Sequence, residues 1–461
     1  MSGNFSDVVR LANLDDFITP SQQCIKPVEI KKEPSGTGSK IKIDDDGSYY
    51  NVNSAGEKSK LGRVDISLAD CLACSGCITT AETVLITQQS HEEMMKMFKN
   101  KDELGIKQIV VSIQIQPILS LAAAYKLTPN DCLQKLTGLL KRLGADMVLD
   151  MGLAEDLALV EEQKEFINRY ERYSNGDKTA LPMLASTCPG WVCYAEKTKS
   201  HLLPHLSTCR SPQQIMGRLV KGFLSKSLGI KLSEIYHVTI MPCYDKKLEA
   251  SRQQFQTSDV RDVDCVVTPV EVATLFNDEN IMLNLESNME PDWPWQNVLP
   301  YRYLTRPQGS SSGGYAYHVA EFTCSHFNLN QPLDFRRPNA RRSDVETVEI
   351  TNGETTLKIA VVTGFKNIQN MVNKIKRGNC DFSYVEVMAC PSGCLNGGAQ
   401  IKSQYKEVES LYRDLEQRKI GELHDLYEKS FIGVNSEGCN EQLHTTFEAV
   451  TYNPNPLSIK W

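Results

Sequence analysis

Three cysteines spaced two residues apart are the most chemically informative residues in the sequence. Cys71, Cys74 and Cys77 form a C-x-x-C-x-x-C run, and two-residue spacers let one loop wrap three thiolates around an iron-sulfur cubane. Cys24 is the only cysteine upstream of this run, and we assign it as the fourth ligand. The alternative is a zinc site with four cysteine ligands, but such sites usually pair two separated CxxC motifs.

Four further cysteines stand where strands are expected to end. Cys188, Cys243, Cys390 and Cys394 follow the runs LPMLAST, IYHVTIMP and YVEVMA. Ligands bind at the carboxyl ends of the strands in open α/β sheets, so three strands would bring four thiolates to one cleft. This recurrence favours a second metal site, and the spacing leaves the identity of the metal open.

The elements that must position these thiols alternate between strands and helices from about residue 106. This rhythm predicts βαβ units, with mostly parallel sheets and helices on both faces. Thr128 as cap, Pro129 and Asp131 mark the start of one helix. Residues 40–53, KIKIDDDGSYYNVN, predict a hairpin around an Asp-Gly turn. The other strand candidates are QIVVSIQIQP, ADMVLDM, VDCVVTP and LKIAVVTGF.

The domain plan that follows from this pattern has five parts. They are an extension with the hairpin and one cluster ligand at 1–60, a cluster module at 61–105, a first α/β lobe at 106–285, a connection at 286–350, and a second lobe with a C-terminal tail at 351–461. The GSSSGG stretch at 309–314 lacks the Gly-Lys-Ser/Thr of a phosphate loop. We interpret it as a mobile part of the connection.

Composition excludes several classes of function. The net charge of -7 without a Lys/Arg stripe lacks the footprint of a nucleic-acid binder. No run of about 18 apolar residues predicts a membrane span, and Arg10, Asp15 and Asp16 interrupt any signal peptide. A cytoplasmic protein, also compatible with the nucleus, is expected. In such a reducing compartment the 15 cysteines do not form a disulfide framework. The cysteines outside both quartets are expected to be buried, inert thiols: Cys132, Cys193, Cys209, Cys265, Cys324, Cys380 and Cys439.

Three segments, TCPGW, MPCYDKK and ACPSGCLNGGAQ, resemble the signature segments of the iron-only hydrogenase active-site domain. Within that superfamily the chain most resembles the nuclear prelamin A recognition factor-like proteins of the cytosolic iron-sulfur protein assembly pathway. The opening LDDFITPSQQCIKP, the CLACSGC loop, SSSGGY and the final Trp461 carry this closer resemblance. It implies a two-lobed hydrogenase-like α/β domain with an N-terminal ferredoxin-like cluster module.

The resemblance also implies the cofactors. In its terms Cys188, Cys243, Cys390 and Cys394 hold one 4Fe-4S cluster, and Cys24, Cys71, Cys74 and Cys77 hold another. Hydrogenases place a proton-relaying cysteine where this chain has Thr187, and a hydroxyl cannot replace a thiol whose pKa is about 8.5. We therefore expect no hydrogenase activity. Lys246 matches the hydrogenase lysine that contacts a diatomic ligand, and a salt-bridged lysine is the alternative.

The expected role is that of an adaptor or cluster carrier between early scaffold ATPases and the late targeting complex. In the resembling proteins a C-terminal aromatic residue docks on that complex, which includes a WD-repeat protein, so Trp461 is the candidate docking residue. A tail held on the chain's own surface is the alternative. Two other functions stay open, namely a hydrogenase-like redox enzyme and a simple electron-transfer protein.

Overall fold

The chain divides into two units. Residues 1–78 form one and residues 79–461 form the other. The structure is a computed structural model that describes the backbone of residues 40–43, 49–52 and 58–60, together with residues 85–295, 303–336, 345–353, 355–401, 405–418, 420 and 443–449.

The first unit contains a small antiparallel sheet. Its strands are β1 Lys40–Ile43, β2 Tyr49–Val52 and β3 Lys58–Lys60, in the order β1-β2-β3. Ile43 pairs with Tyr49, and Lys40 pairs with Val52. The hairpin predicted at 40–53 is therefore present.

The second unit is built on two four-stranded sheets. Its strands are β4 Gln108–Ile113, β5 Met147–Asp150, β6 Met183–Leu184, β7 Ile235–Ile240, β8 Gln256–Thr257, β9 Val260–Arg261, β10 Cys265–Val267, β11 Val345–Asn352, β12 Thr355–Thr363 and β13 Tyr384–Met388. The strand order is β10-β7-β4-β5 in the first sheet and β11-β12-β13-β6 in the second, while β8 and β9 form a separate two-stranded ribbon. The prediction of an α/β fold with mostly parallel sheets is confirmed.

The first sheet is parallel throughout. Strand β4 reads QIVVSI, and its last five residues are buried. A parallel strand covered on both faces reads as a continuous apolar run of this kind. The second sheet is parallel except at its edge, where β11 runs antiparallel to β12. Strand β11 was not expected from the sequence, since residues 345–350 fell in the predicted connection.

Helices cover the sheets. They are α1 His91–Lys99, α2 Ile115–Tyr125, α3 Pro129–Leu143, α4 Gly152–Ser174, α5 Pro189–Thr198, α6 Pro212–Arg218, α7 Ser225–Leu228, α8 Asp245–Ala250, α9 Pro269–Asp278, α10 Tyr315–His326, α11 Phe365–Lys376 and α12 Tyr405–Asp414. A π-helical segment, Leu219–Leu224, joins α6 to α7. The predicted start of α3 is confirmed, because the Thr128 side chain accepts a hydrogen bond from the Asp131 amide at 3.2 Å.

The expected strand QIVVSIQIQP is wrong beyond Ile113. Helix α2 begins at Ile115, and Pro117 lies in its first turn. Proline is tolerated there, since the first amides of a helix have no intrahelical acceptor. A β-prone run thus continues into a helix whose N-cap residue, Gln114, makes no side-chain capping hydrogen bond.

Helix α4 is central to the second unit. It packs against α6 and α10, and its buried residues belong to an apolar core that includes residues of both sheets. A second core lies between the other face of the first sheet and α1, α2, α3 and α9. Buried Arg418 is paired with Glu155 and Asp156 of α4 at 2.7 and 2.6 Å, which ties the segment after α12 to this helix. Among the described residues, no helix combines the length and apolarity needed to cross a membrane.

We expect Gly138→Ala in α3 to destabilise the second unit. A Cβ at Gly138 would lie 2.1 Å from the backbone oxygen of Ser287. The backbone must shift, and overpacking of this kind costs about 1–3 kcal/mol, more than the roughly 1 kcal/mol that alanine gains in helix propensity. The thermal unfolding midpoint should fall.

Gly222→Ala is the matched control. Gly222 is also helical, but no atom lies within 4 Å of its added Cβ. Its midpoint should stay unchanged or rise. Equal midpoints for the two variants would show that the contact between Gly138 and Ser287 does not restrict α3.

Candidate metal centre

Four cysteines lie at the ends of three strands that come from both sheets. Cys188 follows β6 and Cys390 follows β13, which are neighbouring parallel strands of the second sheet. Cys243 follows β7 of the first sheet. Cys394 begins a short 3-10 helix, Cys394–Asn396, in the same loop as Cys390. Since parallel strands deliver their carboxyl ends to one edge of a sheet, the fold brings this quartet to one place.

Contacts between loops fix the thiols relative to one another. The Ala389 amide donates to Cys188 Sγ at 3.4 Å, which links the Cys188 loop to the Cys390 loop. The Ala399 amide donates to the carbonyl of Pro242 at 3.2 Å, beside Cys243. Gly397 is required at this approach, because a Cβ there would lie 2.4 Å from the Pro242 oxygen.

The four thiols act on one another electrostatically. Burial, followed by Cys394, raises the pKa of Cys188 to about 12. Burial raises the pKa of Cys243 well above its usual value, and Asp245 and the other three cysteines add to the rise. Burial followed by Cys188 and Cys394 does the same to the pKa of Cys390. The quartet is therefore protonated until a positively charged group stabilises the thiolates, as bound metal ions do.

The four cysteines of the quartet are enclosed by the protein but keep some solvent exposure. Burial is the main cause of each raised pKa, yet all four cysteines keep an intermediate solvent exposure. Protein interiors contain few voids larger than a water molecule. Thiols that are enclosed but not packed against protein atoms fit a bound inorganic group, and soft sulfur donors are the ligands that iron-sulfur clusters use. The residues present therefore fit a cluster.

A single metal ion would need a tighter arrangement. Thiolates bound tetrahedrally to one zinc ion lie about 3.8 Å apart. In the part of the chain that the structure describes, no group of three or more His, Cys, Asp or Glu side chains is arranged to hold one metal ion. The four thiols interact as a set without forming a site of that kind.

Lys246 lies beside the quartet as one half of a buried ion pair. Its Nζ is 2.5 Å from Glu249 Oε2 and donates to the Thr187 carbonyl at 3.1 Å. Glu249 also accepts a hydrogen bond from the Ser211 hydroxyl. The ammonium charge is thus neutralised by a carboxylate, which is the salt-bridged alternative considered from the sequence.

Thr187 precedes Cys188 and is buried. Its hydroxyl has no hydrogen-bond partner among the described residues. A buried hydroxyl without a partner carries a desolvation cost of about 1–3 kcal/mol unless water or a bound group satisfies it. The Thr187 hydroxyl is therefore available to a water molecule or a bound group beside Cys188.

One feature of this site was not expected from the sequence. The GSSSGG loop at 309–314 donates a hydrogen bond to Glu386 and accepts hydrogen bonds from Gln116 and Tyr412. Ser312 of this loop accepts a hydrogen bond from the Cys394 amide. The interpretation as a mobile connection is therefore wrong. Serine and glycine alone carry no signal of this role, because the anchoring side chains lie far away in sequence.

Not all of the predicted site residues lie in the part of the chain that the structure describes. Cys24, Cys71, Cys74, Cys77 and Trp461 lie outside the described residues, as does Cys439. Of the remaining cysteines, Cys132, Cys209, Cys265 and Cys324 are buried, as expected, whereas Cys193 and Cys380 are partly exposed.

Most of the second unit matches a known protein family. Residues 107–398 match the family described as iron only hydrogenase large subunit, C-terminal domain. One solved variant of the FeFe-hydrogenase HydA1 from Chlamydomonas reinhardtii superposes with a TM-score of 0.66 at 25% identity, covering 78% of this chain and 99% of that one. A second variant of the same hydrogenase gives a TM-score of 0.67 at 26% identity, with the same coverage. The expected hydrogenase-like fold is confirmed.

Curated relatives match along the whole chain. A probable cytosolic Fe-S cluster assembly factor of Anopheles gambiae is 46% identical over 99% of this chain and 99% of its own length. One of Culex quinquefasciatus is 47% identical with the same coverage. Because the likeness spans both units and exceeds that to the hydrogenases, the chain belongs to the family of hydrogenase-like cytosolic Fe-S cluster assembly factors.

Proposed function

We propose that this chain binds two 4Fe-4S clusters and acts as an adaptor or carrier in the maturation of cytosolic and nuclear iron-sulfur proteins. One cluster is held by Cys188, Cys243, Cys390 and Cys394. The other is held by the quartet of Cys24, Cys71, Cys74 and Cys77. The observation that carries the proposal is the gathering of four mutually interacting thiols at the ends of strands from two sheets.

The relatives' names support the cellular role. They are named as cytosolic Fe-S cluster assembly factors, and this chain shares their full length. The chain works in the cytoplasm on this basis, and its clients extend to the nucleus. A 4Fe-4S cluster supplies one-electron redox chemistry or a transferable iron-sulfur unit, while the protein's own residues bind it and exclude water.

The surroundings of the quartet favour binding over proton chemistry. A general acid must release its proton near neutral pH. Thr187 offers a hydroxyl at the relay position, and Lys246 is neutralised by Glu249 at 2.5 Å. A hydrogenase role needs a proton route that these contacts do not provide. The chain is therefore not an enzyme in this proposal.

The C-terminal tail supplies the partner contact. An aromatic anchor suits capture in a pocket of a partner, and the partner is the WD-repeat-containing targeting complex. Early scaffold ATPases supply the cluster. Lys460 stands where an acidic or small polar residue is more usual in such tails, so its charge weakens the contact.

Replacing Cys390 and Cys394 with alanine should remove one cluster. Anaerobically purified full-length protein should lose about half of its iron and sulfide, and the variant should fail to restore client cluster loading in depleted cells. Double replacement of Cys324 and Cys380 by serine is the matched control, since neither belongs to the quartet. Full rescue by the alanine variant, or zinc in place of iron, would contradict the proposal.

The purified chain should show no hydrogenase chemistry. We expect no infrared bands from carbon monoxide or cyanide bound to iron, and hydrogen evolution from a reduced viologen at background level. Thr187→Cys should not restore activity, because a thiol at this position adds a proton donor but does not supply the iron with bound carbon monoxide and cyanide. Thr187→Ser serves as the control for changes in side-chain size. Infrared bands in the wild-type protein would instead support the redox-enzyme alternative.

Trp461→Ala should weaken binding to the targeting complex by roughly 30-fold, the size of a hot-spot loss of about 2 kcal/mol. Lys460→Asp should strengthen binding, and Lys460→Ala should leave it near the wild-type value or slightly tighter. Affinity is measured with the purified full-length chain and the complex. Unchanged affinity for Trp461→Ala would mean that the tail is not the docking element.

A further inference from the structure

The serine-glycine loop at residues 309–314 is an anchored element that reaches one cysteine of the quartet. Tyr412 donates its hydroxyl to the Ser310 carbonyl at 3.1 Å. Gln116 Nε2 donates to the Ser311 carbonyl at 3.0 Å. One contact comes from α12, which follows the loop in the sequence, and the other comes from α2, which precedes it. Together they fix the backbone of the loop.

A buried carboxylate holds the loop from a third direction. Ser310 donates its hydroxyl to Glu386 of β13, and the other oxygen of Glu386 accepts from the Ala316 amide at 2.9 Å. Ser310 Oγ in turn accepts from the amides of Ser312 and Gly314 at 3.3 and 3.2 Å. The loop is therefore held against β13, the strand that precedes Cys390, and the Ser310 side-chain oxygen also joins the two ends of the loop.

This clamp presents Ser312 to Cys394. Ser312 is buried, and its Oγ accepts from the Cys394 amide at 2.9 Å. A Cβ at Gly393 would lie 2.4 Å from this same oxygen, and Gly393 has a φ of +80°. A side chain at position 393 is therefore excluded, because the Ser312 hydroxyl approaches Cys394 there. Because the Ser312 oxygen accepts from the Cys394 amide, its hydroxyl proton is free to be donated to the sulfur of the same cysteine.

We propose that Ser312 is a positioning residue for the cluster on Cys188, Cys243, Cys390 and Cys394, here called the second cluster. Its oxygen holds the Cys394 amide, and its hydroxyl donates a hydrogen bond to the cluster-bound sulfur of Cys394. The inference rests on the proposed function, because it requires a cluster on the Cys188, Cys243, Cys390 and Cys394 quartet. It goes beyond that function by assigning the serine-glycine loop a part in setting the cluster's reduction potential.

The physical consequence concerns the reduction potential. Hydrogen bonds to cluster sulfurs help to set the potential of an iron-sulfur centre. A donor stabilises the reduced state more, since that state carries more negative charge on sulfur. Loss of the Ser312 hydroxyl should therefore make the second cluster harder to reduce.

The test uses the full-length chain with Cys71 and Cys74 replaced by alanine, so that only the second quartet carries a cluster. Iron and sulfide are measured first, and the cluster is then titrated anaerobically and followed by electron paramagnetic resonance. Ser312→Ala should shift the reduction equilibrium towards the oxidised state by roughly tenfold, about 59 mV for a one-electron couple. Ser312→Thr, which keeps the hydroxyl, should restore the wild-type potential.

Ser311→Ala is the matched control. It removes a neighbouring hydroxyl in the same loop, while the Ser311 carbonyl keeps its bond to Gln116. Its potential should equal that of the parent protein. Equal potentials for Ser312→Ala and Ser311→Ala, with the cluster present in both, would overturn the role of Ser312.

The remaining outcomes separate this inference from the proposed function. A parent protein that holds no iron on the second quartet would refute the cluster assignment itself, and Ser312 would lose its role with it. Failure of Ser312→Ala to hold iron, together with normal loading of Ser312→Thr, would support the contact through ligand positioning. Failure of both variants to hold iron would show that the loop needs serine for its shape and would overturn the hydrogen-bond role.

Discussion

The constraint on which the site of the second unit depends is that the fold places four cysteine sulfurs close enough together for their charged forms to disfavour one another. Burial and neighbouring cysteines raise the pKa of Cys243 and Cys390, so the thiolates cannot form without a positive group among them. The loops that carry the sulfurs are held together by main-chain hydrogen bonds and close glycine approaches, such as that of Gly397 to Pro242.

Polar contacts across α4 keep the surrounding elements in register. Buried Glu162 accepts hydrogen bonds from Tyr384 of β13 at 2.9 Å and from Ser207 at 2.6 Å. Burial and nearby Glu165 raise the pKa of Glu162 well above its usual range. A protonated or hydrogen-bonded carboxyl in this position needs its partners at fixed places, because an unsatisfied buried acid is costly. Strand β13, which leads to Cys390, therefore cannot slide relative to α4.

The sequence was most informative where local chemistry is strict. Thr128 and Pro129 predicted the start of α3, and the strand-then-cysteine pattern predicted which strands lead to the quartet. It was least informative where a contact joins distant segments. The anchoring of Ser310 by Glu386, 76 residues away, leaves no local pattern, and the apolar run through Pro117 hides the change from strand to helix. Tertiary contacts decide the structure at such positions, and local secondary-structure propensity does not predict it.

In the proposed function a hydrogenase-like fold binds a cluster without hydrogenase chemistry, because binding and catalysis place different demands on this site. Binding needs thiolates at fixed positions, and hydrogen bonds from neighbouring segments hold the Cys188 sulfur and the Cys394 backbone in place. Proton transfer needs, in addition, a group with a matched pKa beside the reacting atoms. Thr187 carries a hydroxyl, and Lys246 is paired with Glu249 at 2.5 Å, so the proposed function assigns proton transfer to neither side chain. In that proposal the site serves to hold a cluster in place.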